Sequence, residues 1–189
     1  MLINNAGRGM SYVDSNFVKA RPPFWSIATT TWKMIVDTNL NGIFNMSKAA
    51  TPYFLKEGWG RIVNISTSLI TMQRKGYSPY GSTKWAVEGL TMIMAQDFED
   101  TNITANILIP GGATDTAMIP GSVGDKSRTG ADGNLFDPSI MVPPAQYLAS
   151  SLSDKKNGFR YVAKLWDSSF QPEEAAEKTR FPIRRDREF

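Results

Sequence analysis

Short apolar segments rich in β-branched residues alternate with longer segments of helical periodicity through most of this chain. Strands are predicted at 2–3, 61–66, 105–109 and 159–165, and helices at 29–57, 79–98 and 144–151. This alternation is typical of βαβ units, in which successive strands run parallel. The sequence therefore predicts an α/β fold with a parallel sheet, in which ligands bind beyond the carboxyl ends of the strands.

Composition narrows the chemistry available to such a fold. The 189 residues are 41% hydrophobic and 21% charged, which suits one globular domain. Cysteine and histidine are both absent, which excludes disulfides, thiol chemistry, most zinc sites and any imidazole base. We expect no metal site. Any catalysis must use hydroxyls, amides, lysine, carboxylates or a cofactor.

Targeting and charge patterns indicate a cytoplasmic protein without a membrane or nucleic-acid partner. No apolar run reaches the roughly 18 residues of a membrane helix, and no signal-peptide pattern opens the chain. The net charge is +3, and no basic stripe interleaved with aromatics lies in the body. Much of the basic excess is near the C-terminus, at Lys178, Arg180, Arg184, Arg185 and Arg187. We therefore predict a domain over 1–166 and a polar, basic tail over 167–189.

The sharpest chemical feature is Tyr80 followed four residues later by Lys84, at the start of a predicted helix. Bringing a phenol pKa from about 10 to neutrality takes roughly 4 kcal/mol. One ammonium at about 4 Å supplies that much at an effective dielectric of about 20. Such a pair is common on helix surfaces and is weak evidence alone. Thr67, thirteen residues before Tyr80 at a strand end, could hold a carbonyl oxygen for the phenol.

Five sequence features occur together in one order: Asn4-Asn5-Ala6-Gly7, Asn39-Leu40-Asn41-Gly42, the hydroxyl-bearing strand end at 66–68, Tyr80-x-x-x-Lys84, and Pro110-Gly111 followed by Thr114 and Thr116. This set resembles the classical short-chain dehydrogenase/reductase family over residues 1–166. The resemblance implies a Rossmann-like doubly wound sheet. It also implies an oxidoreductase acting on an alcohol or carbonyl compound.

The resemblance assigns catalytic roles to four side chains. Tyr80 would be the general acid/base, and Lys84 would lower its pKa and bind the nicotinamide ribose. Asn39 resembles the helix amide that holds a water of the proton relay. Thr67 stands where the family has a serine, and Ser68 is the alternative donor.

The resemblance also assigns a cofactor, NAD or NADP, and the residues around it. Those beside the adenosine half would be Asn5, Ala6 and Gly7. Those around the nicotinamide would be Tyr80, Lys84, Pro110, Gly111 and either Thr114 or Thr116. The long loop at 112–143 resembles the substrate lid, and its apolar residues favour a small apolar alcohol or ketone. The two long helices imply a homo-oligomer.

One departure from the family concerns the glycine-rich turn that binds pyrophosphate. The family has this turn upstream of Asn-Asn-Ala-Gly, whereas here that motif begins at residue 4. Neither Gly7-Arg8-Gly9 nor Gly58-Trp59-Gly60 is predicted to join a strand to a helix start. We thus expect an incomplete sheet that lacks about three βα units of roughly 30 residues. Its first strand would be an exposed edge.

Two readings of function follow. Without the glycine-rich turn, we expect weak cofactor affinity and little dehydrogenase activity from this chain alone. The alternative is a catalytically silent relic that acts by pairing with a full-length partner.

Overall fold

The computed structural model describes residues 1–130 and 133–183, which form a β-sheet with helices on both faces. The strands are β1 (Leu2–Asn4), β2 (Gly60–Ile65), β3 (Ile103–Ile109), β4 (Thr129–Gly130), β5 (Gly133–Asn134), β6 (Phe159–Val162) and β7 (Arg180–Pro182). The helices are α1 (Phe17–Ala20), α2 (Thr29–Val36), α3 (Gly42–Glu57), α4 (Leu69–Met72), α5 (Tyr80–Asp97), α6 (Val142–Ala149) and α7 (Pro172–Thr179).

The main sheet has the order β1-β2-β3-β6-β7. Its first four strands are parallel, and β7 pairs with β6 in the antiparallel sense. The predicted α/β class with a Rossmann-like parallel sheet is confirmed. Because parallel strands end on the same side, the chain segments after β1, β2 and β3 meet at one edge of the sheet.

The hydrophobic core lies on both faces of the central strand β3, all seven residues of which are buried. Ile107 and Ile109 pack with Ile43 of α3 on one face. Leu108 points the other way and packs with Tyr147 of α6. A parallel strand covered on both faces is apolar on both, and this explains the apolar residues 107–109 of β3.

The helix predicted over 29–57 is confirmed, with one irregularity. Between α2 and α3 the backbone passes through a π-helical segment, Asp37–Asn41, before helical hydrogen bonding of the usual kind resumes. The helix ends at Gly58, whose φ of 65° is the left-handed conformation that glycine adopts most easily. π-Helical turns are often found at functional sites, and this one contains Asn39.

The segment predicted as a polar, basic tail over 167–189 contains regular structure at residues 172–182. Helix α7 buries Ala175 and Ala176, and Ala176 joins the core on the α6 face of the sheet. Strand β7 then pairs with β6. Signals for this helix are present in the sequence, since Pro172 stands at its first turn and Lys178 in its last.

Two basic residues of that segment form ion pairs within it. Lys178 pairs with Glu174, and Arg180 pairs with Glu177. The predicted tail residues Arg184, Arg185 and Arg187 lie outside the described residues. Within 1–130 and 133–183, no helix has both the length and the apolar character needed to cross a bilayer.

Strand β1 lies at one edge of the sheet as far as the structure describes it. Among the described residues β1 pairs with β2 alone, and Ile3 is 44% exposed. An edge strand of this kind presents backbone N–H and C=O groups that another strand could pair with.

Candidate active site

A cavity of about 720 Å³ opens at the carboxyl ends of β1, β2 and β3. Nine of the residues predicted from the sequence line it: Asn5, Ala6, Gly7, Thr67, Tyr80, Lys84, Pro110, Thr114 and Thr116. They come from three separate loops and one helix N-terminus. Tertiary folding therefore gathers these sequence-predicted groups into one space.

Tyr80 is the first residue of α5 and directs its hydroxyl toward the loop after β2. The phenol forms a side-chain hydrogen bond with Thr67. Ser68, the alternative donor, instead caps α4, where its Oγ accepts from the N–H of Thr71 at 3.2 Å. Of the two candidate hydroxyls, the one beside the phenol is thus Thr67.

Lys84 lies one helical turn beyond Tyr80 and is buried. Its Nζ donates to the backbone oxygen of Ile65 at 2.8 Å and lies 5.8 Å from the centroid of the Tyr80 ring. Burial lowers the pKa of Lys84 to about 8, because the desolvated ammonium is disfavoured. The pKa of Lys84 is therefore close to neutral pH, where the side chain can release and take up a proton.

The structure does not show the expected lowering of the phenol pKa. Burial raises the pKa of Tyr80 to about 12, while the hydrogen bond from Thr67 acts in the opposite direction. The physical reason is that the ammonium is directed at a backbone carbonyl rather than at the phenol oxygen. Desolvation of the phenol therefore exceeds any stabilisation of the phenolate.

Asn39 lies behind the cavity wall rather than on it and is fully buried. Its Oδ1 accepts from the N–H of Arg8 at 2.7 Å, and its Nδ2 donates to the oxygen of Arg8 at 3.0 Å. The same Nδ2 lies 3.2 Å from Oγ1 of Thr83, the residue before Lys84. The amide thus fastens the loop after β1 to the first turns of α5.

Gly111 also lies outside the cavity lining, although Pro110 and Gly112 belong to it. Its φ is 89°, and a Cβ built there would come within 2.7 Å of the Lys164 side chain. Glycine is therefore required to turn the chain away from β3. Thr114 and Thr116 both line the cavity, so the choice between them stays open.

The glycine turn Gly7-Arg8-Gly9 differs from the sequence expectation. It does join a strand to a helical segment, but that segment is a single 3-10 turn, Met10–Tyr12. Such a short segment lacks the aligned peptide dipoles of a phosphate-binding helix, and the Arg8 N–H is already bonded to Asn39. Gly58-Trp59-Gly60 joins α3 to β2, as expected.

Sequence reasoning missed a buried polar network beneath the site. Asn4 donates to Oδ1 of Asn64 at 2.7 Å and to Oγ of Ser47 at 3.1 Å. Asn64 in turn donates to Oγ1 of Thr91 at 2.8 Å. The available signal was the asparagine that interrupts the apolar run of β2. The network ties β1 and β2 to α3 and α5, so it fixes the floor on which the cavity residues stand.

Comparison with known proteins shows the family to which the chain belongs. The family model described as short chain dehydrogenase matches residues 1–126. The chain belongs to the short-chain dehydrogenase family. A short-chain type dehydrogenase/reductase from Picea abies is 33% identical over 154 residues, which cover 79% of this chain and 54% of that protein. Gluconate 5-dehydrogenase from Gluconobacter oxydans is 32% identical, over 84% of this chain and 60% of the relative.

A solved structure of this short-chain dehydrogenase family shares the fold. The gluconate 5-dehydrogenase from Burkholderia cenocepacia, in complex with NADP and tartrate, matches with a TM-score of 0.67 and 28% identity. The match covers 84% of this chain and 60% of that structure. The chain thus spans between half and two thirds of the length of these relatives.

Proposed function

We propose that this short-chain dehydrogenase chain transfers hydride between NAD or NADP and an alcohol or carbonyl compound, with Tyr80 as general acid/base. The observation that carries the proposal is the convergence of the Tyr80 phenol, its hydrogen-bond partner Thr67 and the Lys84 ammonium on one cavity. A phenol held by a hydrogen bond at the wall of a cavity can exchange a proton with a substrate oxygen that lies within hydrogen-bond reach.

The residues present fit the nicotinamide end of such a cofactor. Lys84 Nζ has three donor positions and uses one on Ile65, so it can bind a ribose hydroxyl. Gly7, which the resemblance assigns to the adenosine half, lies close to this end, since a Cβ there would be 3.8 Å from that Nζ. Pro110 and a threonine, Thr114 or Thr116, would flank the ring from the other wall. When bound, the nicotinamide supplies or accepts the hydride that no side chain can transfer.

The chain's own residues would handle the proton. The substrate oxygen would lie between the hydroxyls of Thr67 and Tyr80, and the proton would move to or from Oη of Tyr80. Asn39 acts as a positioning residue in this proposal, because both Oδ1 and Nδ2 of its side-chain amide are hydrogen-bonded to the backbone of Arg8. Its proposed part in a water relay would need one of these bonds to open.

The pyrophosphate end fits less well. The turn after β1 ends in a single 3-10 turn, so it offers no row of N–H groups to an anion. We therefore expect this 189-residue chain by itself to bind nicotinamide nucleotides weakly and to turn over slowly. The alternative function is a catalytically silent chain that acts by pairing with a full-length partner.

The test is NAD- and NADP-dependent oxidation of a panel of small alcohols, followed by the absorbance of the reduced nicotinamide. Tyr80→Phe should lower turnover by about 10²- to 10⁴-fold, the usual contribution of a general acid/base. Tyr53→Phe is the matched control, since Tyr53 is 72% exposed and outside the cavity. Undiminished turnover in Tyr80→Phe refutes the assignment, and no turnover by the wild type supports the silent-chain alternative.

We also propose self-association through the helices α2, α3 and α5. Three large side chains on them remain substantially exposed: Trp32 at 40%, Phe44 at 48% and Trp85 at 49%. Burying them between two copies would remove apolar surface from water. Sedimentation should show an oligomer for the wild type and a smaller species for Trp85→Glu. A monomeric wild type contradicts the proposal.

A further inference from the structure

A buried arginine holds together the first part of the long loop that follows β3. Arg128 is 8% exposed, and its Nε donates to the backbone oxygen of Pro120 at 3.0 Å. Its Nη2 donates to the backbone oxygens of Thr116, at 2.8 Å, and Ile119. Its Nη1 forms an ion pair with Asp115. Four neighbouring residues thus converge on one guanidinium, whose planar fork of donors fixes their relative positions.

The start of this loop is also bonded to later residues of the same loop. The N–H of Asp115 donates to the oxygen of Phe136 at 2.9 Å, and the N–H of Phe136 donates to the oxygen of Ala113 at 2.9 Å. The N–H of Gly124 donates to the carboxylate of Asp115 at 2.8 Å. We call residues 113–128 the lid segment. Because these bonds lie within the loop, the lid segment is assembled from its own contacts.

One apolar side chain of the lid segment reaches the opposite wall of the cavity. Met118 lines the cavity from the lid segment, and Gly9 lines it from the loop after β1. A Cβ built on Gly9 would come within 2.6 Å of Cγ of Met118. The chain neighbours Met10 and Ile119 line the cavity as well, so its surface at this contact is apolar. Met118 therefore bounds the cavity where two strand-end loops meet.

The position of this contact is fixed from both sides. Both backbone groups of Arg8, the residue before Gly9, are hydrogen-bonded to the buried amide of Asn39. On the other side, the bonds to Arg128 fix the part of the lid segment that carries Met118. The methionine thus has a defined place at the end of the cavity rather than a range of positions.

We propose that Met118 is a specificity-determining residue and that Arg128 positions it. With the methionine resting on Gly9, the cavity accepts a short aliphatic chain and excludes a longer one. The bonds to Arg128 are made without a ligand, so this limit is built into the free protein. The inference rests on the proposed function only for the identity of the reacting group, since the size limit applies to any apolar chain that enters the cavity.

The first experiment measures the binding of n-butanol, n-hexanol and n-octanol by ligand-observed NMR, without cofactor. Met118→Ala removes Cγ, Sδ and Cε from the end of the cavity. Its affinity should equal that of the wild type for n-butanol and exceed it for the longer alcohols. The gain should be about fourfold for each methylene group that enters the vacated space. Val123→Ala is the matched control, because Val123 belongs to the lid segment but is 60% exposed and does not line the cavity.

Two results would overturn the proposal. One is a chain-length dependence that is the same in the wild type and Met118→Ala. The other is the absence of alcohol binding by both proteins.

A crosslink tests the contact itself. The chain has no cysteine, so the double variant Gly9→Cys, Met118→Cys has a single possible intramolecular disulfide. Gly9 has a φ of −95°, which cysteine can adopt, and Cγ of Met118 lies where Sγ of a cysteine would be. Mild oxidation should therefore give the disulfide, detected by mass spectrometry. Gly9→Cys with Val123→Cys should stay reduced, and equal crosslinking of the two double variants contradicts the contact.

Arg128→Gln tests the positioning role. It should weaken the size limit as Met118→Ala does, leave n-butanol binding unchanged, and speed hydrogen exchange at the bonded amides of Asp115 and Ile119. Lys126→Gln is the matched control, because Lys126 is exposed and the charge change is the same. An equal loss of binding for all three alcohols in Arg128→Gln indicates a general structural role and overturns the assignment to Arg128.

One further variant separates this inference from the catalytic assignment. Tyr80→Phe should lose turnover and keep the chain-length dependence of the wild type. Failure of the catalytic assignment therefore leaves the size limit in place. A chain-length dependence in Tyr80→Phe like that of Met118→Ala would show that the phenol sets the limit, and would overturn the role of Met118.

Discussion

The buried ammonium of Lys84 should make the stability of this protein depend on pH in a defined window. On folding, its pKa falls from 10.5 to about 8 because burial disfavours the charged form. Below pH 8 the lysine is protonated in both states, so the folded state retains a desolvated charge. Between pH 8 and 10.5 the folded state releases the proton while the unfolded state keeps it. The free energy of unfolding therefore rises with pH in this window.

The size of the effect follows from the shift. Each pKa unit corresponds to about 1.4 kcal/mol, so raising the pH from 7 to 9.5 should add about 2 kcal/mol to the free energy of unfolding. Tyr80 sets the upper limit of the pH range in which this rise can be measured. Its pKa is raised to about 12 in the folded state, so above pH 10 the phenol ionises only in the unfolded state and stability falls.

The assay is urea unfolding followed by tryptophan fluorescence, at pH 7 and at pH 9.5, for the wild type and Lys84→Met. Methionine keeps a similar volume and cannot ionise, so the contribution of Lys84 is the difference between the two proteins. From pH 7 to pH 9.5, the free energy of unfolding of the wild type should rise by about 2 kcal/mol more than that of Lys84→Met. Lys75→Met, at an exposed position, should follow the wild type. If the wild type and Lys84→Met change in parallel, the ammonium is not desolvated and the reasoning fails.

Three further perturbations test the packing around the site. Glu88→Gln should lower the free energy of unfolding by about 3–5 kcal/mol, because Glu88 of α5 pairs in a buried position with Arg160; a loss below about 1 kcal/mol in urea unfolding contradicts this. Leu148→Ala, at a fully buried position of α6, should cost about 2–5 kcal/mol by the same measurement, and a near-neutral result means that the α6 face is not close-packed. Gly111→Ala should lower the melting temperature in calorimetry, because it combines a φ of 89° with a close approach to Lys164; an unchanged melting temperature refutes the described backbone path.

Local sequence patterns predicted the regular elements well where an element has a single dominant periodicity. The strand predicted at 61–66 is Gly60–Ile65, and the helix predicted at 79–98 is Tyr80–Asp97. Helix α7 was missed because eight residues give a weak periodic signal, and its buried face consists of small residues, Ala175 and Ala176. Short elements of this kind are stabilised by the surface on which they dock rather than by their own pattern.

The residues of the candidate site were likewise predicted only in part. Motif spacing identified Tyr80, Lys84 and Thr67, and the structure places all three on one cavity. It did not identify Arg74, which lines the same cavity, because the spacing of a loop residue does not show the direction in which the turn presents its side chain. The expected lowering of the phenol pKa also failed, since that argument assumed a distance and a solvent exposure that only folding sets.

The order of the longer strands and helices, and the residue types able to exchange a proton, were determined by the sequence alone, because periodicity and side-chain chemistry are local properties. Tertiary structure decided which carbonyl receives the Lys84 ammonium, which hydroxyl meets Tyr80, and that Arg74 shares their cavity. The physical reason is that electrostatic interactions depend on burial and on distances between residues far apart in the chain. Neither quantity exists until the sheet and its helices have assembled.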